Sequence, residues 1–213
     1  MILSTIDQLV ADFVGDPNQT RYAGKFTAAV NRAQEQFALD SRTLFKDTTY
    51  TTTAADSTYD LPSDFLLEES VLYNGFPLKP VSRRTLYALY PDQDWTLLNG
   101  TPTMYMVDPE VGVATLRLIP VPQEAKTVAL RYYPLPASVS NDTDVILNSS
   151  TLMQQFHMGI AALAAWYLLL YEEVTPPIIM KRNELMKVYQ EAATKAIDTF
   201  GNTRSEPLRM RPK

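Results

Sequence analysis

Apolar positions in the first stretch of the chain recur at helical spacing: Leu3, Ile6, Leu9, Val10, Phe13 and Val14. They mark one face of a helix with a period of 3.6 residues. Ser4 and Asp7 stand at capping-box spacing, and Gly15 supplies a stop. Asp16-Pro17 then reads as a cap with proline in the first turn of a second, longer helix. Its apolar stripe runs Tyr22, Phe26, Val30, Ala33, Phe37 and Leu44, and its other face is Gln, Asn, Glu and Arg.

Around Asp47 the period changes from helical to alternating. The stretch "TTYTTTAADSTYDLPSDF" is rich in Thr and Tyr, which suit strands, and it breaks at Asp56-Ser57 and at Leu61-Pro62-Ser63. Asn74-Gly75 between two short apolar runs is the strongest hairpin signal in the chain. A short helix is expected over Arg83 to Tyr90, then a loop, then two or three strands. Turns are expected near Pro109 to Gly112 and near Gln123 to Ala125, and Pro-x-Pro exits stand at Pro120 to Pro122 and Pro134 to Pro136. Prolines there end strands where the chain leaves a sheet.

Helical spacing returns after a polar connection. One helix is expected from about Thr151 to Tyr171, with Ser149 or Ser150 as its cap. Thr175 caps another, with Pro176 and Pro177 in its first turn and Gly201 at its end. The inward stripe of this last helix is read as Leu185, Val188, Tyr189, Ala192, Ala196 and Phe200. From Asn202 onward "NTRSEPLRMRPK" has no period. The pattern therefore predicts an α+β chain: a four-helix bundle with an inserted antiparallel β subdomain and an extended C-terminal tail. Residues 1–46 form the first part of the bundle, 47–148 the insert, 149–201 the second part and 202–213 the tail.

Composition narrows the function classes. The chain has 213 residues, 46% hydrophobic and 20% charged, which are ordinary globular values. A net charge of −5 and a pI near 4.9 argue against a surface built to hold nucleic acid. With no cysteine there is no disulfide framework and no thiolate zinc site. The first residues lack the basic start of a signal peptide, and the apolar run Met158 to Tyr171 is shorter than the roughly 20 residues of a membrane span. No membrane partner is expected.

Candidate chemistry is sparse. The single histidine, His157, has no second His and no acid at i+3 or i+4, and reads as a surface or half-buried helix residue. Ser149, Ser150 and Thr151 lack a nucleophile elbow and are explained by capping. Seven glycines form no phosphate-binding loop. Glu68-Glu69 and Glu172-Glu173 are sequence neighbours whose side chains diverge, so neither is a two-carboxylate site. Asp56, Asp60 and Asp64 lack the pattern of a calcium loop. No catalytic, cofactor-binding or metal-binding residue is assigned, no cofactor is expected, and the chain reads as a non-enzyme. Tyr50, Tyr59, Tyr73, Tyr105, Tyr132 and Tyr133 fall on predicted strands, where sheet packing is the main reading and a subunit contact the other.

The tail has the most suggestive charge pattern. Arg204, Arg209, Arg211 and Lys213 against Glu206 leave it at +3, and the rest of the chain at −8. A frayed, solvated end fits this. So does a segment that orders on an acidic partner with Leu208 and Met210 as apolar anchors.

The order of elements resembles the adaptor, or head-to-tail connector, proteins of tailed bacteriophages. The resemblance rests on "YDLPSDFLLEESVLYNG" (Tyr59 to Gly75), "GTPTMYMVD" (Gly100 to Asp108), "LRLIPVPQ" (Leu116 to Gln123) and "LRYYPLPA" (Leu130 to Ala137). It implies a structural virion protein of the neck, assembled in the host cytoplasm as a dodecameric ring. Its partners would be other copies of itself, the portal protein, a tail or nozzle protein, and genomic DNA passing through the channel without specific binding. It also implies that the tail docks on the portal, through Arg204, Leu208, Arg209, Met210, Arg211 and Lys213. Twelve copies would carry about −60 formal charges around a channel, which would let DNA slide without sticking. Two other readings stay open: a tail-completion or tail-tube component, and a glycan-binding module with Trp95 and the strand tyrosines as stacking platforms.

Overall fold

The computed structural model describes residues 2–109, 114–149 and 153–201. The chain is α+β and divides into two compact units: one made of Met1–Leu44 with Leu135–Lys213, the other of Phe45–Pro134.

Among its described residues the first unit holds four α-helices: α1 (Leu3–Val14), α2 (Phe26–Ser41), α4 (His157–Leu169) and α5 (Pro176–Gly201). It is organised about α4, which packs on each of the other three. A helix apolar on every side must be covered on every side, and Ile160 through Ala165, Leu168 and Leu169 are all buried. Its small residues let neighbours come close. A Cβ added at Gly159 would run into the Cβ of Ala192 on α5. This packing establishes a shared helical core with one central helix; it does not define the regular four-helix bundle expected from the sequence.

Several element starts differ from expectation, each for a local reason. Ser4 does not cap α1: the cap position is Ile2, and the first free amides are satisfied from elsewhere, Leu3 N–H by Asp144 O (2.9 Å) and Ser4 N–H by Asp142 O (3.2 Å). Asp16 does not start α2. Its carboxylate accepts from the amides of Thr20 (3.1 Å), Arg21 (2.8 Å) and Tyr22 (3.3 Å), and this closes a loop that delays the helix to Phe26. A 3-10 turn, Met153–Phe156, precedes α4, which ends at Leu169 rather than Tyr171. In α5 the prolines occupy the first turn as expected, and Ile179 N–H reaches Thr175 O at 3.0 Å. Leu185, Tyr189 and Ala196 are buried as read, Ala192 meets α4 at Gly159 and Phe200 packs against the core, but Val188 is exposed and Ala193 joins the buried set.

Buried amides fasten the returning chain to α2. Asn31 donates to Val139 O (2.9 Å) and accepts from Val139 N–H (2.8 Å). Gln34, fully buried, donates to Ala137 O (2.9 Å) and to Asn31 Oδ1 (3.0 Å). Each of these polar atoms brought into the core thus finds a partner, as burial demands.

The second unit is built on two four-stranded sheets. The first has the order β1 (Lys46–Thr51), β8 (Thr127–Pro134), β3 (Phe65–Tyr73), β4 (Phe76–Pro77), all antiparallel. The second has the order β2 (Thr58–Asp60), β7 (Ala114–Ile119), β6 (Met104–Pro109), β5 (Lys79–Pro80). The β5–β6 pair is parallel, so the insert is mixed rather than purely antiparallel. Asn74 (φ 49°) and Gly75 (φ 83°) turn the β3–β4 hairpin with positive φ at both central residues, the geometry that Asn-Gly favours.

Period-two alternation explains the layers. On β7, Leu116 and Leu118 enter a core with Val71, Tyr73, Tyr105, Val128 and Leu130 from both sheets. Ile119 faces the opposite way, into a second cluster with Met106, Trp95 and Leu86. That second cluster is covered by the short helix α3 (Arg83–Leu89) and a 3-10 turn at Trp95–Leu97. Both faces of the β6–β7 hairpin are therefore buried. Strand β7 ends before Pro120, joined by a cis peptide, and β8 ends at Pro134. Among the described residues no helix is long and apolar enough to cross a membrane.

Candidate interaction surfaces

The residues assigned to a docking tail, Arg204, Leu208, Arg209, Met210, Arg211 and Lys213, lie outside the described residues. The structure instead shows the helix they follow and the surfaces around it.

In the helical unit, the corner between α4 and α5 exposes Leu170, Tyr171, Val174, Ile179 and Met180, with Tyr171 68% accessible. The corner is held from behind. Glu172 accepts from Tyr22 (2.5 Å) and pairs with Arg21, while Lys25 Nζ stands 3.9 Å from the Tyr171 ring centroid. Burial, then this carboxylate, push the Tyr22 phenol up to about 12. A groove of about 410 Å³ runs between α2, α4 and α5, lined by Leu163, Trp166, Tyr167, Met186, Ala193 and Ile197, with Asp40 at its edge. Asp40 accepts from Tyr189 OH (2.5 Å).

In the β unit, Phe76 stands 72% exposed at the hairpin, and Tyr87, Leu89 and Leu97 are exposed on and beside α3. Large apolar side chains left exposed become contact surfaces where they lie together. The strand tyrosines are not part of it: Tyr73, Tyr105, Tyr132 and Tyr133 are buried, and Tyr50 and Tyr59 partly so, ring against ring at 6.0 Å.

The stretches that carry the resemblance do architectural work. Leu61 is core, and Phe65 N–H turns back to Pro62 O (2.9 Å). Asp64 accepts from Tyr132 OH (2.8 Å) and Lys46 Nζ (2.5 Å), and Phe65 lies against Tyr132 with centroids 5.7 Å apart. Asp108 takes two hydrogen bonds from Arg83 (2.8 and 2.6 Å). A Cβ placed on Gly100 would stand 3.7 Å from Pro120, an ordinary contact, so packing there does not demand glycine.

Two expectations change here. His157 is not a surface residue: it is fully buried, its ring nitrogens make no well-formed hydrogen bond, and burial pulls its pKa down to about 4. It is a neutral core side chain. Trp95 is not a stacking platform either. It is 5% exposed, edge-on to Tyr87 at 6.3 Å and beneath Arg117 at 5.9 Å. Among the described residues no group of three or more His, Asp or Glu could hold a metal ion.

Among the described residues the tyrosines and charge pairs hold the fold together, and large apolar side chains stand exposed on each unit. The model of one family, SU10 adaptor protein, matches residues 1–211. The chain belongs to that family, as the phage-adaptor resemblance of its sequence implied, and membership points to a structural protein rather than an enzyme. No curated protein matches it.

Proposed function

We propose that this adaptor is a virion component that forms a dodecameric ring in the neck of a tailed phage, joining the portal to the tail and letting DNA pass through its channel. The observation that carries the reading is the family match across residues 1–211, which spans both units. Surface properties support it. A ring needs two different faces on each subunit. The exposed apolar corner at Leu170–Met180 and the exposed Phe76 hairpin give the chain distinct surfaces that could serve. A net charge of −5 per copy suits a channel that does not bind DNA. The partners in this reading are other copies of the chain, the portal protein and a tail or nozzle protein. Residues Arg204, Leu208, Arg209, Met210, Arg211 and Lys213 dock on the portal.

The test is deletion of Asn202 to Lys213 in phage particles. The expected result is a folded protein that is absent from virions. Normal incorporation of the truncated chain would overturn the docking role. The glycan-binding alternative loses its main residue, because the buried Trp95 cannot stack on a sugar.

A further inference from the structure

We propose that, in the free protein, β1 pairs antiparallel with β1 of a second copy about a two-fold axis at Thr49, joining the first sheets of the two copies into one. The contact lies wholly on the β unit. It is isologous, so it is separate from the head-to-tail contacts that a ring uses.

The sheet edges select the site. Among the described residues the two sheets end in four edge strands, β1 and β4 in the first and β2 and β5 in the second. Proteins blunt such edges with short strands, prolines, bulges or charge, because an open edge is a template for another strand. β4 and β5 are two residues long and carry Pro77 and Pro80, and β2 has three residues. β1 has six residues in unbroken register with β8, without proline or bulge. Its two charges are taken up by neighbours in the same unit: Lys46 pairs with Asp64 at 2.5 Å and Asp47 with Arg131 at 2.7 Å. Thr48 to Thr51 carry no charge, and Thr49 and Thr51 are exposed.

The phase of the hydrogen bonds fixes what this edge offers. Thr52 N–H donates to Lys126 O (2.8 Å), and on the other side of β8 Asn74 N–H donates to Thr127 O (2.8 Å). Alternation along the ladder therefore turns the backbone groups of Thr48 and Tyr50 towards β8. Those of Asp47, Thr49 and Thr51 face outward, with no strand beside them.

Self-complementarity selects the occupant. An antiparallel copy centred on Thr49 sets Thr49 against Thr49 and Asp47 against Thr51, so every outward group is paired. Moving the two-fold axis by one residue along the strand leaves one of those three residues out. On the inner face, Tyr50 stands opposite Thr48 of the second copy, an aromatic and β-branched pair that suits a sheet. No like charges face each other. The other edges of a second copy are the blunted ones, which leaves β1 as the complement of β1. The contact is one strand wide, so the pairing is reversible and depends on concentration.

The chain has no cysteine, so a single introduced thiol reports the contact. Hydrogen-bonded residues facing each other in an antiparallel sheet have Cα atoms about 5.5 Å apart, within the span of a disulfide. Thr49→Cys should oxidise to a linked dimer several-fold faster than Thr51→Cys, which sits on the same exposed face but opposite Asp47 of the second copy. Sedimentation across a dilution series compares the natural chain with Thr49→Lys, which sets like charges against each other in the pair. Circular dichroism confirms that the variants are folded. The expected result is a concentration-dependent dimer of the natural chain and a several-fold weaker one in Thr49→Lys. Equal oxidation at the two cysteine positions overturns the proposal, as does equal dimerisation of the natural chain and Thr49→Lys. A natural chain that stays monomeric at every concentration also overturns it, and leaves the edge to a strand of another protein.

Discussion

Replacing Asp7 by Asn should stabilise the helical unit at neutral pH and leave it little changed in mild acid. Asp7 lies on α1 with 9% of its surface accessible, and its Oδ1 has no hydrogen-bond partner. Burial first, and the charge of Asp142 second, raise its carboxyl from 3.8 to about 6. A folded-state pKa above the unfolded one means that the charged carboxylate costs the native state stability. That cost is fully present above pH 6 and is relieved as pH falls towards 3.8. A rise of this size corresponds to about 3 kcal/mol. The Asn side chain must still be accommodated in the same place, so a gain of about 1–2 kcal/mol is the realistic figure.

His157 acts in the opposite direction. Its pKa falls from 6.5 to about 4, so stability is lost as pH drops through that window. In the natural chain the two effects offset each other between about pH 4 and 6. In Asp7→Asn the histidine slope should stand uncovered. Urea midpoints followed by the helical circular dichroism signal from pH 4 to 8 measure this. A variant less stable than the natural protein at pH 8, or a difference that does not change with pH, would refute the reasoning.

Three further outcomes follow from packing. Gly159→Ala should lower the thermal midpoint, at a cost of about 1–3 kcal/mol, because its Cβ meets Ala192 and α4 and α5 must part; an unchanged midpoint would contradict this. Asn31→Ala strands both the N–H and the C=O of Val139 and should cost about 1–3 kcal/mol in urea unfolding. Trp95→Ala should cost about 3–5 kcal/mol in the β unit by emptying the cluster beside α3, and glycan arrays should show no binding by the natural protein for it to abolish.

What the sequence could tell depended on whether the chemistry was local. Asn74-Gly75 and Pro176-Pro177 fix their turns and helix starts within a few residues, and the structure places both as read. Asp16-Pro17 has the same kind of signature, yet Asp16 spends its carboxylate on three amides of a loop, which no window pattern reveals. The second sheet was blurred because β6 and β7 are buried on both faces, so apolar and polar positions do not alternate cleanly. His157 reads from sequence as surface or half-buried because no ligand partner stands near it there; its burial depends on how α4 is covered by α1, α2 and α5, which no local pattern shows. Of the candidate site, the tail was legible as composition alone. The groove between α2, α4 and α5 joins residues from Gln36 to Ile197 and exists only in the folded chain.

The central claim, an adaptor that assembles on a portal, is tested most directly by the native mass of the purified protein, alone and then mixed with its portal. The expected result is a small species alone and a portal-bound ring at one adaptor per portal subunit after mixing. A mass that does not change on mixing would contradict it.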